Sequence, residues 1–66
     1  MQKNIEKIRK KENVTLVDMA DFLGVDYRTI REKIDGKSDF KFGEAMAIRN
    51  RFFPEYDAEF LFSDVG

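Results

Sequence analysis

Residues 15–36 read TLVDMADFLGVDYRTIREKIDG, and this stretch decides the fold. Thr15 stands three residues before Asp18, which is the spacing of a capping box at a helix start. Gly24 is placed to end that helix in the left-handed conformation, and Asp26 is a good N-cap for the next one. The pattern therefore predicts two short helices that are joined by only residues 24–26.

So short a connection favours a steep crossing of the two helices over an antiparallel hairpin, and this is the helix-turn-helix arrangement. Ala20 lies four residues before Gly24, where a small side chain permits close approach of the helices. Ile30 and Ile34 share one face of the second helix and are expected to face the core. The side chains expected to face outward are Tyr27, Arg28, Arg31, Glu32 and Asp35.

The flanking sequence predicts further helices. One spans about residues 2–12, and another runs from about Phe42 to Phe52 with an apolar stripe that includes Phe42 itself. Asp57 is expected to cap a short fifth segment over residues 58–62. Because no segment alternates with period two for long enough to form a strand, we expect an all-α fold, a compact bundle of four to five short helices containing a helix-turn-helix. Residues 1–66 are expected to form a single domain.

Composition argues against catalysis. The 66 residues include no Cys and no His, which removes disulfides, thiolate ligands, the usual general base and the commonest metal ligand. We expect no enzyme activity, no cofactor, no metal and no small-molecule substrate. No stretch approaches the roughly 20 apolar residues of a membrane span, and the N-terminus has no apolar block that would make it a signal peptide. The expected location is the cytoplasm, without membrane association.

Charge is balanced in sum and uneven in distribution. The net charge is −1, which by itself argues against nucleic-acid binding. Residues 1–11 carry five basic side chains against Glu6 alone, whereas residues 55–66 carry four acidic side chains and no basic one. The chain is thus a charge dipole along its sequence, and the location of the cationic side chains in the fold matters more than their number.

The string from Thr15 to Ile30, followed by residues 33–36, resembles the lambda-repressor-like helix-turn-helix family of phage repressors, Cro proteins and related regulators. Residues 5–11 look like the first helix of that family, and residues 40–49 look like its fourth helix in the form seen in small prophage regulators. The resemblance implies a five-helix, Cro-sized domain that binds a double-stranded DNA operator as a two-fold homodimer. It also implies that the third helix reads bases in the major groove.

The sequence departs from the family pattern at two positions. Leu16 stands where many members have a Gln that contacts phosphate, although its backbone N–H is still able to do so. Lys41 stands where a Ser or Thr often caps the fourth helix. The third helix also carries carboxylates, which repel phosphate unless they pair with Arg or accept from a cytosine amine.

The expected site residues fall into three groups. Base contacts are predicted for Tyr27, Arg28, Arg31 and Glu32. Phosphate contacts are predicted for the Leu16 backbone and for Lys33, Lys37, Ser38 and Lys41. Dimer contacts are predicted for Phe53, Tyr56, Phe60 and Phe62, because the aromatic content of this end is excessive for so small a core.

Each group has a plainer alternative. Arg28 and Arg31 are spaced to pair within their helix with Glu32 and Asp35 at i,i+4, and Tyr27 is as well suited to partial core packing. The loop cations suit an ordinary solvated loop, and the aromatic side chains suit the core.

The leading hypothesis is a sequence-specific DNA-binding regulator of the phage Cro or repressor type. Two copies would set their third helices about 34 Å apart, one turn of DNA. The alternative is a helix-turn-helix-derived protein–protein module such as an antirepressor. The acidic balance, the missing Gln and the carboxylates of the third helix favour that alternative.

Overall fold

The computed structural model describes residues 3–64. Its five helices confirm the all-α prediction, and no strand occurs within the described residues, where Lys3 and Asp64 form one isolated antiparallel bridge. The helices are α1 Asn4–Lys11, α2 Leu16–Leu23, α3 Tyr27–Ile34, α4 Phe42–Phe52 and α5 Ala58–Leu61. The predicted start of the first helix at residue 2 lies outside the described residues.

Side-chain caps set the starts of three helices. The Thr15 hydroxyl accepts from the Asp18 N–H at 3.0 Å, and the Asp18 carboxylate accepts from the Thr15 N–H at 3.2 Å, so the predicted capping box of α2 is confirmed. Asp26 caps α3 and Asp57 caps α5, each by accepting from the backbone N–H three residues on. These caps satisfy donors that the first turn of a helix leaves free.

The ends of α1, α2 and α3 share one motif. Gly24, with φ 73°, donates to the Asp21 carbonyl while the next N–H bonds to the Ala20 carbonyl at 3.0 Å, which is a Schellman motif. Gly36, with φ 85°, ends α3 in the same pattern, as the sequence predicts. Asn13, with φ 60°, does so for α1. Three sharp helix ends therefore keep the connections short.

The core draws on all five helices. Ile30 and Ile34 of α3 are fully buried, which confirms the predicted inward face of that helix. In α4, Ile48 is fully buried, but Phe42 is 82% exposed, so the expectation that Phe42 belongs to the apolar stripe is wrong. The reason is its position in the first turn of α4, ahead of the part of the helix that packs inward. The buried apolar residues are Ile5, Ile8, Leu16, Met19, Ala20, Ile30, Ile34, Ile48, Phe53 and Leu61.

The acidic C-terminal segment, residues 56–64 of the described chain, packs along α1. The Asn4 backbone N–H donates to the Ser63 carbonyl at 2.9 Å, and the Asn4 side chain donates to the Phe60 carbonyl at 2.9 Å. At the other end of α1, the Tyr56 hydroxyl donates to Glu12 at 3.0 Å. The segment is thereby held on α1, while the first turn of α3 stays open to solvent.

We expect two glycine-to-alanine changes to have opposite effects on stability. Gly24→Ala forces a Cβ into the left-handed region and should lower the free energy of unfolding by about 1 kcal/mol or more. No atom lies within 4 Å of a Cβ built at Gly24, so backbone strain is the cause. Gly43 in α4 has equal space and no positive φ, so Gly43→Ala should stabilise by roughly 0.4–1 kcal/mol. Urea denaturation of both variants measures the two changes in the free energy of unfolding. Two changes of the same sign would contradict the expected opposite effects.

Candidate nucleic-acid interface

The first turn of α3 presents an aromatic and a cationic side chain to solvent. Tyr27 is 52% exposed, and the Arg28 side chain is 88% exposed. Arg28 Nε lies 3.8 Å from the Glu32 carboxylate, a surface pair at i,i+4 that is too long for a hydrogen bond. Exposed pairs of this kind contribute at most about 1 kcal/mol to stability. Arg28 can therefore leave Glu32 and bind a stronger partner.

Arg31 lies on the same helix as Arg28 but forms ion pairs within the fold. Its Nε donates to Asp35 at 3.2 Å, and a terminal guanidinium nitrogen lies 3.5 Å from Glu6 of α1. Partial burial opposes a charged Arg31, but the charge and hydrogen bond of Asp35 and the charge of Glu6 outweigh it and raise the Arg31 pKa. The side chain is only 33% exposed, so the structure realises the intrahelix pairing alternative and adds a link to α1.

Glu6 is a buried carboxylate that the sequence reading missed. It is 4% exposed and pairs with three cations: Arg9, to which it is hydrogen-bonded, Lys10 at 3.8 Å and Arg31 at 3.5 Å. A buried carboxylate needs such partners. The basic run of α1 offers the only available signal, since Arg9 and Lys10 follow Glu6 at i,i+3 and i,i+4.

Of the predicted phosphate contacts, the three that follow α3 are exposed, whereas Lys33, within α3, is not. Lys37, Ser38 and Lys41 are exposed, as a phosphate-contacting loop requires. Lys33 is turned inward: its side chain is 12% exposed and lies 3.2 Å from the Glu44 carboxylate. The prediction of Lys33 as a phosphate contact is therefore not supported, because its ammonium already has a partner within the fold.

The start of α2 belongs to the same helix-turn-helix as α3. The Leu16 side chain is buried, at 3% exposure, so only its backbone can contact a phosphate, as the sequence suggests. Its N–H is in the first helical turn, where backbone donors lack helical partners. Val17, the next residue, is 53% exposed and places an apolar side chain on the surface.

The surface around α2 and α3 also carries negative charge. Asp18, Asp21 and Asp26 are exposed. Hydrogen bonds from Thr29 lower the Asp26 pKa, with a smaller contribution from the Arg28 charge, so this carboxylate is ionised at neutral pH. Asp18 and Asp21 line a groove with α4. Asp26 is therefore the anion that a DNA backbone approaching the first turn of α3 would meet beside Arg28.

The four predicted dimer residues lie in different environments. Phe53 is 1% exposed and belongs to the core, so its side chain is not on the surface that a partner would contact. Tyr56 and Phe62 are half-buried, and Phe62 packs edge to face on Phe40 with centroids 5.0 Å apart. Phe60 alone among the four is substantially exposed, at 47%.

Within residues 3–64, no cluster of three or more potential metal ligands occurs. No helix in the described part of the chain is long and apolar enough to cross a membrane. Comparisons of the chain with models of protein families, with curated proteins and with solved structures found no match.

Two carboxylates at helix starts make stability depend on pH. Hydrogen bonds from Thr29 lower the Asp26 pKa, and the Lys41 backbone N–H, followed by Lys33, lowers that of Glu44. A lowered pKa in the folded state contributes stability above the unfolded pKa, and this contribution disappears as pH falls through the folded pKa. We expect the free energy of unfolding to fall as the pH drops below about 5, where carboxylates of the unfolded chain begin to take up protons. Asp26→Asn, which keeps a cap, should show a smaller fall, and an unchanged profile would contradict this assignment.

Proposed function

We propose that this protein is a sequence-specific DNA-binding regulator of the phage Cro or repressor type. In this proposal α3 enters the major groove of a double-stranded operator, and two copies bind as a two-fold dimer. The observation that carries the proposal is the exposed first turn of α3. There the Arg28 side chain is 88% exposed on a helix anchored from behind by fully buried Ile30 and Ile34.

The chemistry of that turn suits the edge of a base pair. An Arg guanidinium donates two parallel hydrogen bonds to guanine, and each such contact discriminates by roughly 1–3 kcal/mol. Tyr27, beside it, offers a ring edge and a hydroxyl. A rigid helix with such residues in its first turn is the element that helix-turn-helix proteins direct at base edges.

Groups suited to phosphate precede and follow that turn along the chain. The N-terminal turn of α2 offers backbone N–H groups and the positive end of a helix dipole. Lys37, Ser38 and Lys41 are exposed in and after the loop that follows α3. Contacts of this kind position a protein on the duplex without reading its sequence. The arrangement thus separates candidate base-reading and backbone-gripping groups.

Selection from a randomised duplex library tests the proposal without a known operator. We expect enrichment of two related half-sites whose centres lie about one helical turn apart. Affinity for the selected duplex should fall with salt by roughly 0.9 log units per log unit of salt for each phosphate contacted. Recovery of unrelated sequences, or binding that does not respond to salt, would contradict the proposal.

Two single variants separate base reading from phosphate contact. Arg28→Ala should weaken binding to the selected duplex by about 1–3 kcal/mol while changing binding to a shuffled duplex much less. Lys37→Ala is the matched control, since it removes an exposed cation from the adjacent loop and should weaken both duplexes alike. Fluorescence anisotropy on both duplexes measures this. An equal loss for Arg28→Ala on the two would make Arg28 a phosphate contact.

A second candidate function is a protein–protein module such as an antirepressor. The exposed carboxylates Asp18, Asp21 and Asp26 around the helix-turn-helix favour it, because they suit a basic protein surface better than a phosphate backbone. Immobilised protein that retains one defined partner, and retains no duplex at low salt, would support this candidate over the first.

A further inference from the structure

The two arginines of α3 are restrained to different degrees. The Arg28 side chain is 88% exposed and lies 3.8 Å from Glu32, whereas the Arg31 side chain is only 33% exposed. Two nitrogens of the Arg31 guanidinium have partners within the fold. Its Nε donates to Asp35 at 3.2 Å, and its Nη2 lies 3.5 Å from the Glu6 carboxylate. Arg31 is therefore tied to two carboxylates, one of which belongs to another helix.

Both carboxylate oxygens of Glu6 face cations. The Oε1 atom accepts a hydrogen bond from Arg9, and the Oε2 atom lies 3.5 Å from Arg31 and 3.8 Å from Lys10. The Lys10 side chain is 66% exposed and exchanges its partner for water at little cost. Because the Glu6 side chain is only 6% exposed, loss of Arg31 would leave Oε2 charged and poorly hydrated. The contact therefore resists the release of Arg31.

Arg31 lies where a released guanidinium would reach DNA. It follows Tyr27 by four residues on α3, so the two side chains share one side of the helix, and Tyr27 is 52% exposed. A released Arg31 would bring a second cation to the duplex beside Arg28. Phosphate oxygens accept hydrogen bonds from arginine on any sequence, so such a contact adds affinity without reading bases.

We propose that Glu6 is a positioning residue that holds Arg31 against α1 and so keeps this cation off the duplex. The inference rests on the proposed function for the duplex, and it assigns a role in DNA discrimination to a buried carboxylate of α1. On an operator, base contacts fix the register of the chain. On other sequences the chain is free to take whichever register gives the most phosphate contacts. A free Arg31 would therefore strengthen binding to unrelated sequences more than binding to the operator.

A role of Glu6 in stability alone predicts the opposite effect on DNA. In that case loss of the carboxylate weakens binding to every duplex, because α3 is less firmly held on the core. If Glu6 restrains Arg31, loss of the carboxylate strengthens binding to unrelated duplexes, and this gain depends on the presence of Arg31. The two roles are therefore separable by binding measurements.

Glu6→Gln releases Arg31 while keeping a partner for Arg9. The amide oxygen still accepts from Arg9, and the amide nitrogen, which is a donor, replaces the oxygen that faces Arg31. Glu12→Gln is the matched control. It removes the same charge at the end of α1, from a side chain whose hydrogen-bond partner is Tyr56. Circular dichroism checks that both variants fold.

Fluorescence anisotropy on the selected and the shuffled duplex, over a series of salt concentrations, gives the readout. Relative to Glu12→Gln, Glu6→Gln should steepen the salt dependence on the shuffled duplex by about 0.9 log units per log unit of salt. This is a gain of roughly threefold at 50 mM over 200 mM salt. The ratio of the affinities for the selected and the shuffled duplex should fall. Addition of Arg31→Ala to Glu6→Gln should restore the salt dependence of the unaltered chain. Weaker binding to both duplexes, or no restoration, overturns the inference.

Arg31→Ala tests the inference without altering Glu6. A cation that is held off the duplex releases no counterions, so this variant should keep the salt dependence of the unaltered chain. An Arg31 that contacts phosphate would instead make the dependence shallower by about 0.9 log units per log unit of salt. That result overturns the inference even if Glu6→Gln does not fold.

Side-chain ¹⁵N relaxation of the DNA-free chain distinguishes this inference from the proposed function. The Nε–H of Arg31 should be less mobile than that of Arg28, and Glu6→Gln should make it more mobile, whereas Glu12→Gln should not. Equal mobility of the two arginines in the unaltered chain overturns the inference whatever the chain binds. A restrained Arg31 in a chain that binds no duplex would refute the regulator. Salt-sensitive duplex binding that Glu6→Gln leaves unchanged would keep the regulator and overturn this role of Glu6.

Discussion

Replacing Ile30 with alanine is expected to lower the free energy of unfolding by about 2–5 kcal/mol. Ile30 is fully buried and anchors α3 to the core behind Tyr27 and Arg28. A chain of 66 residues has a total stability of roughly 3–10 kcal/mol, so this one change is expected to remove a large part of it. The loss combines the lost transfer free energy of the removed carbons with the cavity that they leave.

Val17→Ala is the matched control for Ile30→Ala. Val17 is apolar and helical but 53% exposed, so its truncation should change stability by no more than about 0.5 kcal/mol. Thermal and urea denaturation of both variants give the comparison. Similar losses for the two, or a loss below about 1 kcal/mol for Ile30→Ala, would mean that α3 is not anchored as described.

Replacing Glu6 with alanine is expected to lower the free energy of unfolding by about 3 kcal/mol, because the change leaves Arg9 and Arg31 without their shared carboxylate. Arg9 is the more buried of the two, with a side chain that is 13% exposed, and it bears most of the cost. Arg31, at 33%, can recover part of its hydration, which keeps the loss at the lower end for a broken buried pair. Glu55→Ala, at an exposed carboxylate, is the control and should have little effect.

A double-mutant cycle isolates the contact between α1 and α3. Glu6→Ala and Arg31→Ala should show a coupling energy above about 0.5 kcal/mol, since the two side chains face each other at 3.5 Å. Arg31→Ala should also affect unfolding more than DNA discrimination, whereas Arg28→Ala should do the reverse. Additive effects of Glu6→Ala and Arg31→Ala would contradict the link.

Local signals made most of the fold predictable. Thr15 with Asp18, and Asp26 before α3, mark helix starts through side-chain oxygens that satisfy backbone donors. Gly24 and Gly36 mark helix ends because they adopt positive φ without a Cβ clash. Each of these signals acts within a few residues, so sequence alone is sufficient to read it.

The parts that sequence did not predict depend on contacts between distant elements. Glu6 has the spacing of a solvated surface residue, and only the packing of α3 on α1 brings Arg31 to it. Lys33 has the spacing of a loop-side cation, and its inward turn depends on Glu44 of the next helix. Asn13 takes the helix-ending role that the sequence assigns more readily to glycine.

The aromatic residues show the same limit. Their number indicates more apolar surface than a small core can bury, but their order along the chain does not say which ones remain outside. The structure buries Phe53 and exposes Phe42, the reverse of the sequence expectation. Phe42 is the first residue of α4, and Phe53 follows its last residue. Which of the two is buried depends only on the elements that pack over each end of the helix.

An NMR titration tests most directly whether the exposed first turn of α3 contacts DNA. Amide shifts of the ¹⁵N-labelled chain are followed as the selected duplex of about 20 base pairs is added at low salt. The proposal predicts the largest changes at Leu16, Tyr27, Arg28 and Lys37, with α5 unaffected apart from a shared effect of dimerisation. A spectrum unchanged by the duplex, or changes centred on α5 while Tyr27 and Arg28 stay unmoved, would contradict it.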